Sequence, residues 1–138
     1  MKFFLFLFAV FLFAMESADS KELDYKLVLT AGTGTVDGRV VRFLTFFEDA
    51  CLTVQNVVPG DVGRVAAEAR ICSLDGRDIS SDFVDVTFKR GVFTDKGLFF
   101  DVSATPFRPL GERKLLCQVK FVQGVADHLS CVNANYDE

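Results

Sequence analysis

The sequence predicts an all-β fold: a single small antiparallel β-sandwich of about eight strands, immunoglobulin-like in architecture and held by two disulfides, with a closed barrel as second choice. Three observations predict it. Turn chemistry recurs every 8 to 15 residues, and the segments between turns are short and rich in Val, Phe, Leu and Thr. Four cysteines also fall symmetrically about two glycine-bearing turns.

Residues 1–20 stand apart from this pattern. Lys2 precedes twelve consecutive apolar residues, Phe3 to Ala14, and Glu16, Ser17, Asp19 and Ser20 follow. This is the layout of a secretory signal peptide, too short for a membrane span, which needs about 20 apolar residues. Six Phe in those twelve positions leave no polar face for a soluble amphipathic helix. Cleavage is expected after Ser20 or Ala18. A cut at Ser20 leaves residues 21–138, the size of one domain. Removing Lys2, Glu16 and Asp19 from the 15 basic and 19 acidic residues leaves 14 and 17, a mildly acidic surface. Such a surface offers no long-range attraction to nucleic acid or anionic lipid.

The first strand is expected over 25–30, where Tyr25, Leu27 and Leu29 alternate with Lys26, Val28 and Thr30. Gly32-Thr33-Gly34-Thr35 and Asp37-Gly38 then read as turns. No Gly-Lys-Ser/Thr follows to make the first of these a phosphate loop. Residues 39–47, apolar on both faces apart from Arg39, Arg42 and Thr45, suit a covered central strand.

Residues 52–58 and 65–72 flank Pro59-Gly60-Asp61-Val62-Gly63, and over the second segment helix and strand compete. The cysteines arbitrate. A hairpin centred between Asp61 and Val62 sets Cys51 opposite Cys72, with Leu52 by Ile71, Val54 by Ala69 and Val58 by Val65 on one face. Thr53 by Arg70 and Gln55 by Glu68 then form solvent-side pairs. Strand is therefore preferred.

After a polar loop turning at Asp75-Gly76, residues 83–90 alternate, with Val84, Val86 and Phe88 inward and Asp85, Thr87 and Lys89 outward. Gly91 allows a kink there. The turn Thr94–Gly97 leads to strand 98–104, with Leu98, Phe100 and Val102 on one side. Pro106 and Pro109 bracket a connection that cannot join a central strand. Strands 114–122 and 128–133 turn about Gly124, which brings Cys117 opposite Cys131 and Val119 opposite Leu129. Disulfides Cys51–Cys72 and Cys117–Cys131 follow. The cysteine intervals lack the close pairs of a structural zinc site. Residues 133–138 are read as a frayed tail.

The Trp and tyrosine-corner hallmarks of immunoglobulin domains are missing. The length and pattern are faintly similar to secreted lipid-recognition sandwiches, but those use a six-cysteine framework and this chain has four. No family is recognised.

The chemistry points away from catalysis. His128 is the only histidine, and Ser130 sits two positions along the same strand face, out of hydrogen-bond reach. Asp82 and Asp85 flank opposite sides of a strand, and Asp85 with Asp101, on neighbouring outward faces of one hairpin, supplies too few oxygens for calcium. No metal, cofactor or catalytic residue is assigned. Candidate contact residues are Asp37 and Arg39, and Asp75 and Arg77, from two Asp-Gly-Arg turns that set an acid beside a guanidinium. Phe46 and Phe47, and Phe99 and Phe100, join them, because adjacent strand residues point to opposite faces. The reading that follows is a secreted non-enzymatic effector or binding protein, of the kind found in saliva or venom, engaging an extracellular partner through loops or sheet edges. The alternative is a carrier of an apolar ligand, a lipid or fatty acid, between two sheets. A small hydrolase is the remaining class.

Overall fold

The computed structural model describes residues 23–134; the leader expected over 1–20 and residues 135–138 of the expected tail lie outside them. A single 3-10 turn, Tyr25–Leu27, opens the described chain, capped by the Asp24 carboxylate accepting from the Lys26 N–H at 3.0 Å. The strands follow in order. They are β1 (Val28–Val36), β2 (Arg39–Phe46), β3 (Asp49–Val57), β4 (Val65–Ile71), the two-residue β5 (Ser73–Leu74) and β6 (Arg77–Asp78), β7 (Phe83–Thr94), β8 (Gly97–Pro106), β9 (Arg113–Val122) and β10 (Val125–Asn133). The eight long strands form two four-stranded antiparallel sheets, β1-β2-β3-β4 and β10-β9-β8-β7, and β5 with β6 make a small ribbon. The sheets pack face to face as a sandwich with β4 near β10 and β1 near β7, and no barrel closes.

Each sheet is a meander of consecutive hairpins, so the likeness to immunoglobulin domains stops at the two-layer architecture. The Greek-key exchange of strands between sheets is not seen among the described residues. Local chemistry accounts for the hairpins. Asp37-Gly38, Asp75-Gly76 and Gln123-Gly124 all have positive φ at both positions (48° and 74°, 51° and 74°, 50° and 79°). That is the type I′ requirement, whose twist matches the flanking strands.

The core between the sheets joins Val41, Phe43, Leu52, Val54 and Ile71 to Phe88, Leu98, Phe100, Val102, Leu115, Cys117, Val119 and Leu129. Phe43 meets Phe100 edge-on at 4.9 Å between ring centroids and stacks near Phe93 at 6.0 Å, while Phe88 meets Phe100 at 5.6 Å. Both disulfides, Cys51–Cys72 and Cys117–Cys131, are formed. Cys117 faces Cys131, and Val119 faces Leu129, in the β9–β10 ladder.

Several expectations give way to particular contacts. Gly32 and Gly34 lie within β1 and are not a turn. A side chain at Gly32 would strike the Phe43 ring at 2.5 Å, and one at Gly34 the Phe93 ring at 2.3 Å. They are strand glycines that admit aromatic rings. The β3–β4 register follows Leu52 by Ile71 through Asn56 by Ala67, then slips at Val57, which faces Val65 in place of Val58. A register irregularity between Phe83 and Asp85 sends Phe83 into the core and leaves Val84 54% exposed instead of inward. A second one, between Phe88 and Arg90, turns Gly91 and Phe93 inward.

Pro106 ends β8 opposite Phe83, beyond the last residue that β9 pairs, so no ladder on that side is broken. Asn133 belongs to β10, opposite Leu115, and the tail begins after it. Thr53 and Gln55 are fully buried, contrary to a solvent-side reading. The Gln55 carbonyl oxygen accepts from Arg42 Nε and Nη2 at 2.8 and 2.6 Å, and its amide donates to Tyr25 Oη and Glu68 Oε2 at 3.1 and 2.7 Å. The Arg42 guanidinium lies 5.9 Å from the Tyr25 ring centroid. Long side chains thus roof this face and satisfy the amide they bury.

Candidate functional site

The end of the sandwich where β2 turns into β3 carries an open groove of about 600 Å³ between that turn and the start of β7. A neighbouring groove of about 360 Å³ shares its Glu48, Asp49, Ala50, Cys51, Asp85 and Val86 walls. The β2–β3 turn is tight: Phe46 faces Asp49, and Phe47 and Glu48 make the corner, with Glu48 at φ 64°. A two-residue corner has no interior, so Phe47 stands at its tip, 57% exposed. Its N–H donates to the Leu27 carbonyl at 2.9 Å, which ties the tip to the incoming chain. Leu29 and Val84, both lining residues, are also more than half exposed, while Phe46 is buried outside the main core.

Acidic groups share these walls with the apolar ones. Glu48, Asp49, Asp78 and Asp85 line the grooves, and Arg70 is the basic residue among the walls. Arg70 is bound bidentately to Asp49, Nη2 to Oδ1 at 2.6 Å and Nε to Oδ2 at 3.1 Å, so its charge is neutralised locally. The Cys51 N–H donates to Asp49 Oδ1 at 3.0 Å, and Thr87 Oγ1 donates to Asp85 Oδ2 at 3.1 Å. Asp78 sits at the head of a single turn, residues 78–82, closed by the Asp82 N–H donating to the Asp78 carbonyl at 2.9 Å. The Ser80 hydroxyl at 2.5 Å, the Ser80 N–H at 2.8 Å and the Ser81 N–H at 3.1 Å all donate to Asp78 Oδ1. These bonds, the Ser80 hydroxyl foremost, hold its carboxyl below the usual carboxylate range.

The candidate contact residues are dispersed. The turn bearing Asp37 and Arg39 and the turn bearing Asp75 and Arg77 lie at opposite ends of the sandwich, because each follows a different parity of strand crossings. Arg39 occupies the space that a side chain at Gly124 would fill, and Arg77 donates to the Arg108 carbonyl at 2.9 Å and lies 5.4 Å from the Phe83 ring centroid. The Arg77 guanidinium is thus engaged with its own chain, and that of Arg39 lies over Gly124. Phe100 is core; Phe99 is half-buried on the outer face of the second sheet between Val92 and Gln118. Of the aromatic candidates, Phe46 lines the smaller groove, and Phe47 projects from the adjoining corner without lining either.

None of the acidic wall residues, nor Leu29 or Val84, was read in sequence as part of a contact site: Asp85 was weighed only for calcium and Val84 only as an inward residue. The signal that could have found them is an aromatic followed by an acid at a tight strand reversal.

His128 Nδ1 lies 2.7 Å from Asp127 Oδ2 on the exposed side of β10. Among the described residues no group of three His, Cys, Asp or Glu is placed to hold a metal ion, and no helix is long and apolar enough to cross a membrane. Comparison with protein-family models, with curated proteins and with solved structures returns no match.

Proposed function

We propose that this protein is a secreted, non-enzymatic binding protein that engages an extracellular partner at the β2–β3 end of the sandwich. The observation that carries the reading is the exposed Phe47 at a tight turn whose neighbours Phe46, Glu48 and Asp49 line grooves walled by apolar and acidic side chains. An aromatic anchor in a polar surround is the arrangement from which protein interfaces draw most of their energy. The acidic walls favour a partner that presents an apolar residue flanked by Lys or Arg. Two disulfides suit an oxidising compartment and support secretion through the expected leader. A saliva-like or venom-like fluid remains the proposed setting.

A protein partner is favoured over an apolar small molecule because the middle of the sandwich is filled. Phe43, Phe88, Phe93 and Phe100 occupy it in mutual contact, and Gly32, Gly34 and Gly91 have no room even for a methyl group. The test replaces Phe47 with a photo-crosslinking phenylalanine and compares it with the same replacement at Val62, in the loop at the opposite end. Capture from the native fluid at position 47 and not at 62 supports the reading. Equal capture at both, or none at either, removes it, and lipid released by solvent extraction of the purified protein would reinstate the carrier.

A further inference from the structure

We propose that the protein self-associates through the outer edge of β1, joining the first sheets of two copies into one continuous eight-stranded sheet about a two-fold axis at Thr33. This goes beyond the groove and does not depend on it. A sheet has two edges, and an edge strand is a template for another strand unless charge, proline or an irregularity blocks it. The four edges here are unequal. β4 and β10 lie close to one another on one side of the sandwich, and they carry Glu68 with Arg70, and Asp127 with His128. On the other side β7 carries Lys89 and Arg90 and two register irregularities. β1 has no charged residue from Val28 to Val36 and no proline, and among the described residues nothing pairs with its outer edge.

The occupant follows from the symmetry of that strand. An irregularity between Val28 and Thr30 leaves a regular run, Thr30–Val36, whose midpoint is Thr33. Antiparallel pairing of this run with itself sets Thr33 against Thr33, Gly32 against Gly34, Ala31 against Thr35 and Thr30 against Val36. No like charges meet in any pair. The same operation about the midpoint of β7, between Phe88 and Lys89, sets Lys89 against Phe88, Arg90 against Thr87 and Asp85 against Val92, so its charges go unmatched. Ala31, Thr33 and Thr35 are exposed, and Thr pairs are favourable across strands. An interface of this type is isologous and closes as a dimer.

The experiment is sedimentation equilibrium of the purified protein from micromolar to about millimolar concentration, with Thr33→Lys and Thr33→Glu variants. The expected result is a mass of two chains for the parent, one chain for each variant alone, and two chains again when the variants are mixed, because Lys then faces Glu. Phe47→Ala should leave the dimer intact. Slower amide exchange of Thr30–Val36 at high than at low concentration of the parent gives the same answer without any substitution. A parent that stays at one chain throughout, with exchange independent of concentration, overturns the proposal and leaves the edge to an extended peptide from another protein. Variants that still dimerise alone, or that keep a native circular dichroism spectrum yet do not associate on mixing, overturn it as well.

Discussion

The two disulfides close hairpins of similar size but stand in opposite surroundings. Cys117–Cys131 belongs to the core, with Cys117 wholly buried between the sheets. Cys51–Cys72 lies outside that core, and both its cysteines line the open groove. The middle of the sandwich is a packed aromatic layer in which even glycine positions are filled by neighbouring rings, whereas the groove end is a framework of turns, an ion pair and exposed apolar tips. The difference separates two tasks. Packing in the middle determines stability, and the staple at the end fixes the β2–β3 corner where contact is proposed.

The largest test of this division compares the two bridges. In the chain-entropy account, loops closed over 14 and 21 residues each contribute about 3 kcal/mol, slightly more for the longer. Entropy alone therefore ranks Cys51–Cys72 marginally first. Packing reverses the order, because Cys117→Ala with Cys131→Ala also leaves a void in the core, worth about another 1–2 kcal/mol. The core pair is expected to lose about 4–5 kcal/mol, a fall of roughly 15–20 °C in thermal midpoint. Urea unfolding of both double variants decides it; equal losses would mean that the surroundings of the bridges do not matter. Cys51→Ala with Cys72→Ala should in addition abolish crosslinking from position 47, by loosening the corner.

A second contrast is smaller. Gly91 has ordinary backbone torsions, but a methyl group there would sit 2.4 Å from the Phe43 ring. Gly91→Ala is therefore an overpacking change, expected to cost about 1–3 kcal/mol. Phe47→Ala removes a much larger side chain from the groove end and should change stability by about 0.5 kcal/mol or less. Thermal unfolding of both variants checks the pair. A large loss at Phe47 would make that ring a structural element and undercut its role as an anchor.

What could be read in sequence divides along the same line. The hairpins that join Cys51 to Cys72 and Cys117 to Cys131 were legible because their pairing is local and symmetric, so sulfur position, side-chain alternation and turn chemistry point to one register. Gly32 and Gly34 were not, since the rings they admit belong to Phe43 on the next strand and Phe93 on the other sheet. Val84 was misplaced because one irregularity after Phe83 reverses which side chains face in, and alternation alone cannot reveal it. The burial of Gln55 depends on Tyr25 and Arg42, thirty and thirteen residues away. The groove was the least legible feature, being formed by the β2–β3 turn, the 78–80 segment and the start of β7, which share no sequence pattern.

The smallest expected effect lies at the groove rim, where Asp78 and Ser80 can be titrated. Asp78 binds its proton less readily in the folded protein, chiefly because the Ser80 hydroxyl and then the Ser80 and Ser81 N–H groups donate to its carboxylate. Glu112, which accepts from the Ser103 hydroxyl, is lowered in the same direction on the outer face of the second sheet. For a lowered carboxylate the unfolded chain binds more protons in the intervening window, so stability rises with pH there. The contribution is complete above the unfolded carboxylate range and is lost as pH falls through the folded value. Ser80→Ala should move the Asp78 carboxyl titration, followed by NMR, upward towards its ordinary value and flatten the acid limb of the stability curve, leaving Glu112 where it was. Asp78 lies in the 78–82 turn that walls the groove, and Glu112 lies away from it. Position-47 crosslinking should therefore weaken in acid with the parent, and in Ser80→Ala the weakening should begin at higher pH. If Ser103→Ala altered the crosslinking profile instead, the functional surface would belong to the second sheet and not to the β2–β3 end.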